Sequence, residues 1–155
     1  MTCEGALNAV RDNNRHNQKV FAETCIQYLL LDASLYEQNF DGAKWVMSPP
    51  LREKKDQEAL WAGINQGLVQ VVATDHCPFK WEQKLMGKDD FSKIPNGHPA
   101  IEHRVELLFS EGVRKGRITL NKFVEVLSTN PAKIFGMFPR KGCIAPGADA
   151  DIVLF

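Results

Sequence analysis

Leu68-Val69-Gln70-Val71-Val72-Ala73-Thr74-Asp75-His76-Cys77-Pro78-Phe79 decides the fold, because an apolar run delivers a carboxylate into a turn stopped by proline. Val69, Val71, Val72 and Thr74 are β-branched, and Gly67 and Pro78 bound the run. A short β-branched run between such breakers reads as a strand buried on both faces, the kind found in parallel sheets covered by helices. In α/β folds of that kind, chemistry collects at the carboxyl ends of the strands. Asp75 therefore stands where a barrel enzyme places a catalytic residue. A plainer reading of the same residue is an Asp that caps the following turn through its own backbone. The strand alone does not choose between them.

Outward from this stretch, strand and helix signals alternate, which indicates a parallel sheet or barrel. Residues 4–15 read as a helix with Leu7, Val10 and the small Ala6 and Ala9 on one side. Residues 19–25 read as a strand and 44–47 as the next, stopped at Pro49-Pro50 because proline cannot continue a central ladder. Residues 54–66, with Ala59-Leu60 and Gly63-Ile64, read as an amphipathic helix lying on the barrel. From 80 to 97 the chain is charged and loop-like, with Gly87, Asp89-Asp90 and Pro95, and a loop of this length suits part of a lid. Helical periodicity returns over 99–115 through Ile101, Val105 and Leu108. Thr119 then introduces a helix with Phe123, Val124 and Leu127 on its apolar face. A short helix over 131–135 ends at Gly136, 140–147 is a basic, glycine-punctuated linker, and 150–155 reads as a strand.

Composition excludes several classes. Nineteen basic residues balance 19 acidic ones, and 44% of the residues are hydrophobic. A neutral balance without a basic stripe lacks the footprint of a nucleic-acid-binding protein. No apolar stretch approaches the roughly 20 residues of a membrane span, so no membrane partner is expected. Met1-Thr2-Cys3-Glu4 lacks the basic and apolar regions of a signal peptide, which makes cytoplasm the expected location. Cys3, Cys25, Cys77 and Cys143 form no C-x-x-C pair, which argues against a zinc knot or a disulfide framework. Cys77 beside His76 is a poor nucleophile candidate, since neighbours in an extended chain point to opposite sides.

Several motifs stand in order along the chain: Ala22-Glu23-Thr24-Cys25-Ile26-Gln27-Tyr28-Leu29, Val46-Met47-Ser48-Pro49-Pro50-Leu51-Arg52, Ala73-Thr74-Asp75-His76-Cys77-Pro78-Phe79 and Ile94-Pro95-Asn96-Gly97. Asn130-Pro131-Ala132-Lys133-Ile134-Phe135-Gly136 and Gly147-Ala148-Asp149-Ala150-Asp151-Ile152-Val153 follow. Together they resemble the dihydropyrimidinase and hydantoinase branch of the metal-dependent cyclic amidohydrolases. The resemblance implies the carboxyl-terminal part of a (β/α)8 barrel over 1–139. It also implies a linker and first strand, 140–155, returning to a small β-sandwich domain. At 155 residues the chain is shorter than the about 250 that such a barrel needs, so a piece of a longer enzyme is expected. In the family, a strand with a metal-binding His comes directly before the segment that opens here on Met1.

The chemistry implied by the resemblance is hydrolysis of a cyclic amide, a 5,6-dihydropyrimidine or a 5-substituted hydantoin, to an N-carbamoyl amino acid. Amide resonance makes this slow unless water and carbonyl are both activated, and two divalent ions supply both effects. The family holds that pair, usually Zn2+, with histidines, a bridging carboxylated lysine and one Asp. Only the Asp maps onto this chain, as Asp75, both metal ligand and catalytic proton carrier. The main-chain groups of Ser48 and Asn96 are implied to read the ring amide, on turns stiffened by their prolines.

His76 is better suited to a hydrogen bond that orients Asp75 than to ligation. His98 and His103 read as surface or structural residues, since they lack the i, i+4 spacing of a helical metal pair. Glu23 reads as an organiser of the barrel interior, Arg52 as a rim salt-bridge partner, and Trp45, Trp61 and Trp81 as core or interface. The partners expected are a small cyclic amide and, in the full-length protein, further copies forming a homotetramer. Two rival functions remain: the non-catalytic collapsin response mediator branch, which has lost metal ligands, and a related cyclic amidase such as an allantoinase or dihydroorotase.

Overall fold

The computed structural model describes residues 1–16 and 18–154. Two parallel strands form its sheet: β1 (Glu23–Cys25) pairs with β2 (Val71–Ala73), with Thr24 opposite Val72 at the centre. Parallel neighbours need a long crossover. It runs through α2 (Ile26–Leu30), two 3₁₀ helices (Ala33–Glu37 and Asn39–Trp45) and α3 (Lys54–Asn65). α1 (Glu4–Arg15) precedes the sheet. After β2 come α4 (Trp81–Lys84), α5 (Arg104–Leu108), α6 (Leu120–Val124) and α7 (Asn130–Ile134). π-helical turns, Phe109–Val113 and Glu125–Thr129, prolong α5 and α6.

The apolar periodicity of 4–15 and 54–66 produces the two helices expected there. Leu7 and Val10 of α1 are buried, as are Leu60 and Ile64 of α3. Leu7 packs onto Gly63, where a Cβ would come within 2.8 Å of its Cδ2. The buried carboxylate of Asp56 accepts from Glu4 N at 2.9 Å and from Glu53 N at 3.3 Å. One acid thus satisfies donors at the amino ends of two helices, where the helix dipole favours negative charge. Ile26, Val72, Leu108 and Val126 complete the buried centre. Burying each such side chain is worth about 1.5–3 kcal/mol.

Several sequence expectations need correction. The strand expected over 19–25 pairs only from Glu23, because the Gln70 side chain takes the Ala22 N–H at 2.7 Å and ends the ladder. The strand expected over 44–47 is absent. Lys44 and Trp45 close a 3₁₀ helix, Val46 N donates back to Ala43 O, and Val46 O accepts from Gly97 N and the Lys84 ammonium. The 80–97 loop holds α4 and two 3₁₀ turns, Leu85–Gly87 and Phe91–Lys93. Regular helix begins at Arg104 rather than Pro99. Val124, expected on an apolar face, is exposed. Ala150 to Leu154 make no strand, and Phe155 lies outside the described residues. Among the described residues, no helix is long and apolar enough to cross a membrane.

Candidate functional site

The carboxyl end of β2 is held from both sides before Asp75 is reached. Arg104 Nη1 donates to Val72 O at 3.3 Å. Buried Gln27, two residues beyond β1, donates through Nε2 to Thr74 O at 2.9 Å. Asp75 then turns the chain with φ at +48°, in the left-handed region. Asp is among the few side chains other than glycine that occupy this region readily. Its side chain is exposed, and among the described residues no hydrogen bond or ion pair engages the carboxylate.

The groups near this acid remain protonated. Burial, followed by the negative charges of Glu23 and Asp75, pushes the Cys25 thiol up to about 11. Burial and then the charges of Cys25 and Asp75 push the Tyr28 phenol up to about 12. The Tyr28 hydroxyl donates to Pro49 O at 2.7 Å. A residue of α2 thereby reaches the Ser48 segment.

His76 does not orient Asp75. Its Nδ1 accepts from the main-chain N–H groups of Ala100 and Ile101 at 3.1 and 3.2 Å, so that nitrogen buttresses the next turn. Cys77 N donates to His98 O at 3.2 Å, laying the 76–77 segment beside 98. The Cys77 thiol is free and exposed. Glu23 has an exposed side chain, and it is its carbonyl that accepts from the Met1 amino group at 2.8 Å. Arg52, expected in a salt bridge, has no carboxylate partner among the described residues; its carbonyl accepts from Ala33 N at 2.8 Å.

The Asn96 segment meets the turn after Asp75, and the Ser48 segment meets the Asn96 segment. Gly97 N donates to Val46 O at 3.0 Å. Gly97 also lies against the Cys77 carbonyl so closely that a Cβ would sit 2.2 Å from that oxygen. Lys84, 3% exposed, inserts beneath both loops: its ammonium donates to Val46 O at 2.9 Å, Pro95 O at 2.7 Å and Gly97 O at 3.2 Å. Leu51 N donates to the Tyr36 hydroxyl at 2.8 Å. Among the described residues, nothing engages the main-chain N–H or C=O of Ser48 or Asn96, and both residues are exposed. Their neighbours are tied down and these groups are left open.

A cavity of about 390 Å³ lies next to these loops, lined by Trp45, Phe79, Trp81, Lys84, His98 and Pro99 among others. Trp45 stacks on His98 with ring centroids 5.8 Å apart, while Trp61 is buried and donates to Leu29 O. Burial, then the positive charges of Lys84 and His76, holds His98 below the ordinary histidine value. Asp75, Ser48 and Asn96 do not line this cavity.

Gln27, Tyr28 and Lys84 escaped the sequence reading. The first two lay inside a quoted motif, but nothing in their spacing marks a side chain that grips a distant carbonyl. Among the described residues, no group of three His, Cys, Asp or Glu is placed to hold a metal ion. Asp75 fits one ligand position, as an ionisable oxygen donor held clear of competing cations.

Comparison with known proteins gives the family. A profile of the Amidohydrolase family matches residues 11–155. The D-hydantoinase of Geobacillus stearothermophilus is 54% identical over all of this chain, which covers 33% of that protein. A D-phenylhydantoinase of Escherichia coli O1:K1 / APEC is 50% identical over 96% of the chain and 32% of its own length. The crystal structure of dihydropyrimidinase from Brevibacillus agri NCHU1002 superposes with a TM-score of 0.93 at 52% identity, over 97% of this chain and 33% of that one. The chain thus spans about a third of the length of these relatives. A profile match over residues 11–155 and relatives at about half identity over nearly the whole chain show that it belongs to the amidohydrolase family.

Proposed function

We propose that this chain forms the carboxyl-terminal part of a (β/α)8 barrel in a metal-dependent cyclic amidohydrolase. The full-length enzyme opens 5,6-dihydropyrimidines or 5-substituted hydantoins to N-carbamoyl amino acids. β1 and β2 are neighbouring staves of that barrel, 1–139 is its share of the barrel, and 140–155 leads into a small β-sandwich domain. The observation that carries the reading is the exposed carboxylate of Asp75 at the end of β2, on a turn whose Cys77 packs against Gly97, next to the open main-chain groups of Asn96.

In this reading Asp75 would hold one of two divalent ions, Zn2+ in the usual family case. The remaining ligands, a carboxylated lysine among them, would come from residues outside this chain. When bound, the ions supply Lewis acidity and lower the pKa of water. The chain's own residues do the rest. Ser48 and Asn96 hold the ring by its amide edge through main-chain donors and acceptors, which suits a planar substrate with alternating N–H and C=O groups. A carboxylate oxygen of Asp75 takes the proton of the attacking water as oxygen adds to the ring carbonyl carbon. It then returns that proton to the ring nitrogen as the C–N bond breaks. Protonated Cys25 and Tyr28 keep the surroundings of Asp75 free of added negative charge.

The enzyme is a cytoplasmic homotetramer in this reading, a location to which four unpaired thiols are suited. The test uses the full-length enzyme loaded with Zn2+. It is expected to open 5,6-dihydrouracil or a 5-substituted hydantoin. Asp75→Ala is expected to lower turnover by at least about a hundredfold while keeping part of its metal. Unchanged turnover in that variant rejects the assignment.

A further inference from the structure

Lys84 is a buried cation whose partners are carbonyl oxygens. Its ammonium has three N–H donors, and its three acceptors, the carbonyls of Val46, Pro95 and Gly97, come from the two loops that carry Ser48 and Asn96. The Phe79 ring lies 5.4 Å from Nζ. Among the described residues no carboxylate pairs with it. Taking an ammonium out of water is costly, and burial holds Lys84 below its ordinary value. The three carbonyls are what offset that cost.

Peptide planarity gives these contacts a second effect. The Pro95 carbonyl and the Asn96 N–H belong to one rigid unit, and the Asn96 carbonyl and the Gly97 N–H to the next. Lys84 holds the first unit through Pro95 O. The second is held by Gly97 N–H donating to Val46 O, an oxygen that Lys84 also grips. Both open main-chain groups of Asn96 are thereby aimed without being touched.

We infer that Lys84 is a positioning residue for substrate: its ammonium fixes the direction of the Asn96 main-chain donor and acceptor, and their register with Ser48, and so sets how tightly the amide edge of the ring is held. This rests on the reading of Ser48 and Asn96 as the groups that contact the ring. Lys84 makes no contact with Asp75, so its loss acts on binding more than on proton transfer.

The experiment compares the full-length, Zn2+-loaded wild type with Lys84→Met and Lys84→Ala. Lys84→Met is expected to raise KM about tenfold, the value of one well-aligned hydrogen bond, with a much smaller change in kcat and unchanged metal content. In Lys84→Ala, propylammonium is expected to restore KM where 1-propanol does not, entering through the cavity that Lys84 lines. A folded, metal-loaded Lys84→Met with wild-type KM overturns the inference, as does a loss confined to kcat. Should Lys84→Met not fold, the rescue of Lys84→Ala decides: recovery specific to the ammonium supports the inference, and no recovery, or equal recovery with propanol, overturns it. A wild type that opens neither ring, or an Asp75→Ala variant with full activity, fails the functional reading itself. A wild type that opens rings beside an unaffected Lys84→Met fails this inference alone.

Discussion

The two parts of the candidate site are built on opposite principles. Around Asn96 and Ser48, side chains from distant elements lock the flanking backbone: Lys84 grips Val46, Pro95 and Gly97, and Tyr28 grips Pro49. At Asp75 the backbone is fixed by Gln27 and Arg104, while the carboxylate has no hydrogen-bond or ion-pair partner among the described residues. The difference follows from the tasks proposed. Main-chain recognition needs atoms that cannot swing, because a peptide group has no rotamer with which to adapt. A proton carrier needs a charge that no nearby cation has already claimed.

The sharpest way to break the comparison is at Asp75. Asparagine also tolerates positive φ, so Asp75→Asn is expected to keep the fold while kcat falls about 10²–10⁴-fold, measured by ring opening at matched metal content. Gly97→Ala attacks the other half. Its methyl would collide with the Cys77 carbonyl, with an expected cost of about 1–3 kcal/mol in denaturant unfolding and a rise in KM as the loops part. Gln27→Met is milder. It loses the bond to Thr74 O but also removes a buried amide oxygen with no partner, so about 1 kcal/mol is expected, with kcat reduced more than KM.

The smallest effect lies with His98. Burial lowers its folded pKa below the ordinary value of 6.5, whereas the unfolded chain protonates at the ordinary value. The unfolded state therefore binds more protons once pH drops below that value, and stability declines as pH falls through it toward the lower folded pKa. Thermal melting compared between about pH 7.5 and about pH 5.5 should show this decline. His98→Phe, which keeps the stack on Trp45, should make it shallower.

What the sequence disclosed depended on how local each signal was. α1 and α3 were legible because a 3.6-residue apolar period survives translation into packing, and Asp75 was legible because a β-branched run ends on it. Residues 44–47 were misread for the opposite reason. Trp45 and Val46 have strand-like side chains, but Val46 spends its N–H on Ala43 and its carbonyl on Gly97 and Lys84, so no ladder forms. His76 was given to Asp75 because they are adjacent, yet its ring serves a turn 24 residues on. Lys84 sits in a charged stretch and looks like any solvated lysine. Only the return of the chain over it makes it a clamp.

Ser48 and Asn96 offer backbone rather than side-chain atoms, and this changes what an alanine scan of the mouth would report. Replacing either side chain leaves the amide groups in place, so, if these positions hold the ring as proposed, they would score as tolerant. Sensitivity would surface instead one layer away, at the lysine and the glycine that hold those amides still. An effort to retune ring preference by randomising the contact positions would explore mostly silent changes. In the proposed reading, the controls lie in residues that the ring never meets.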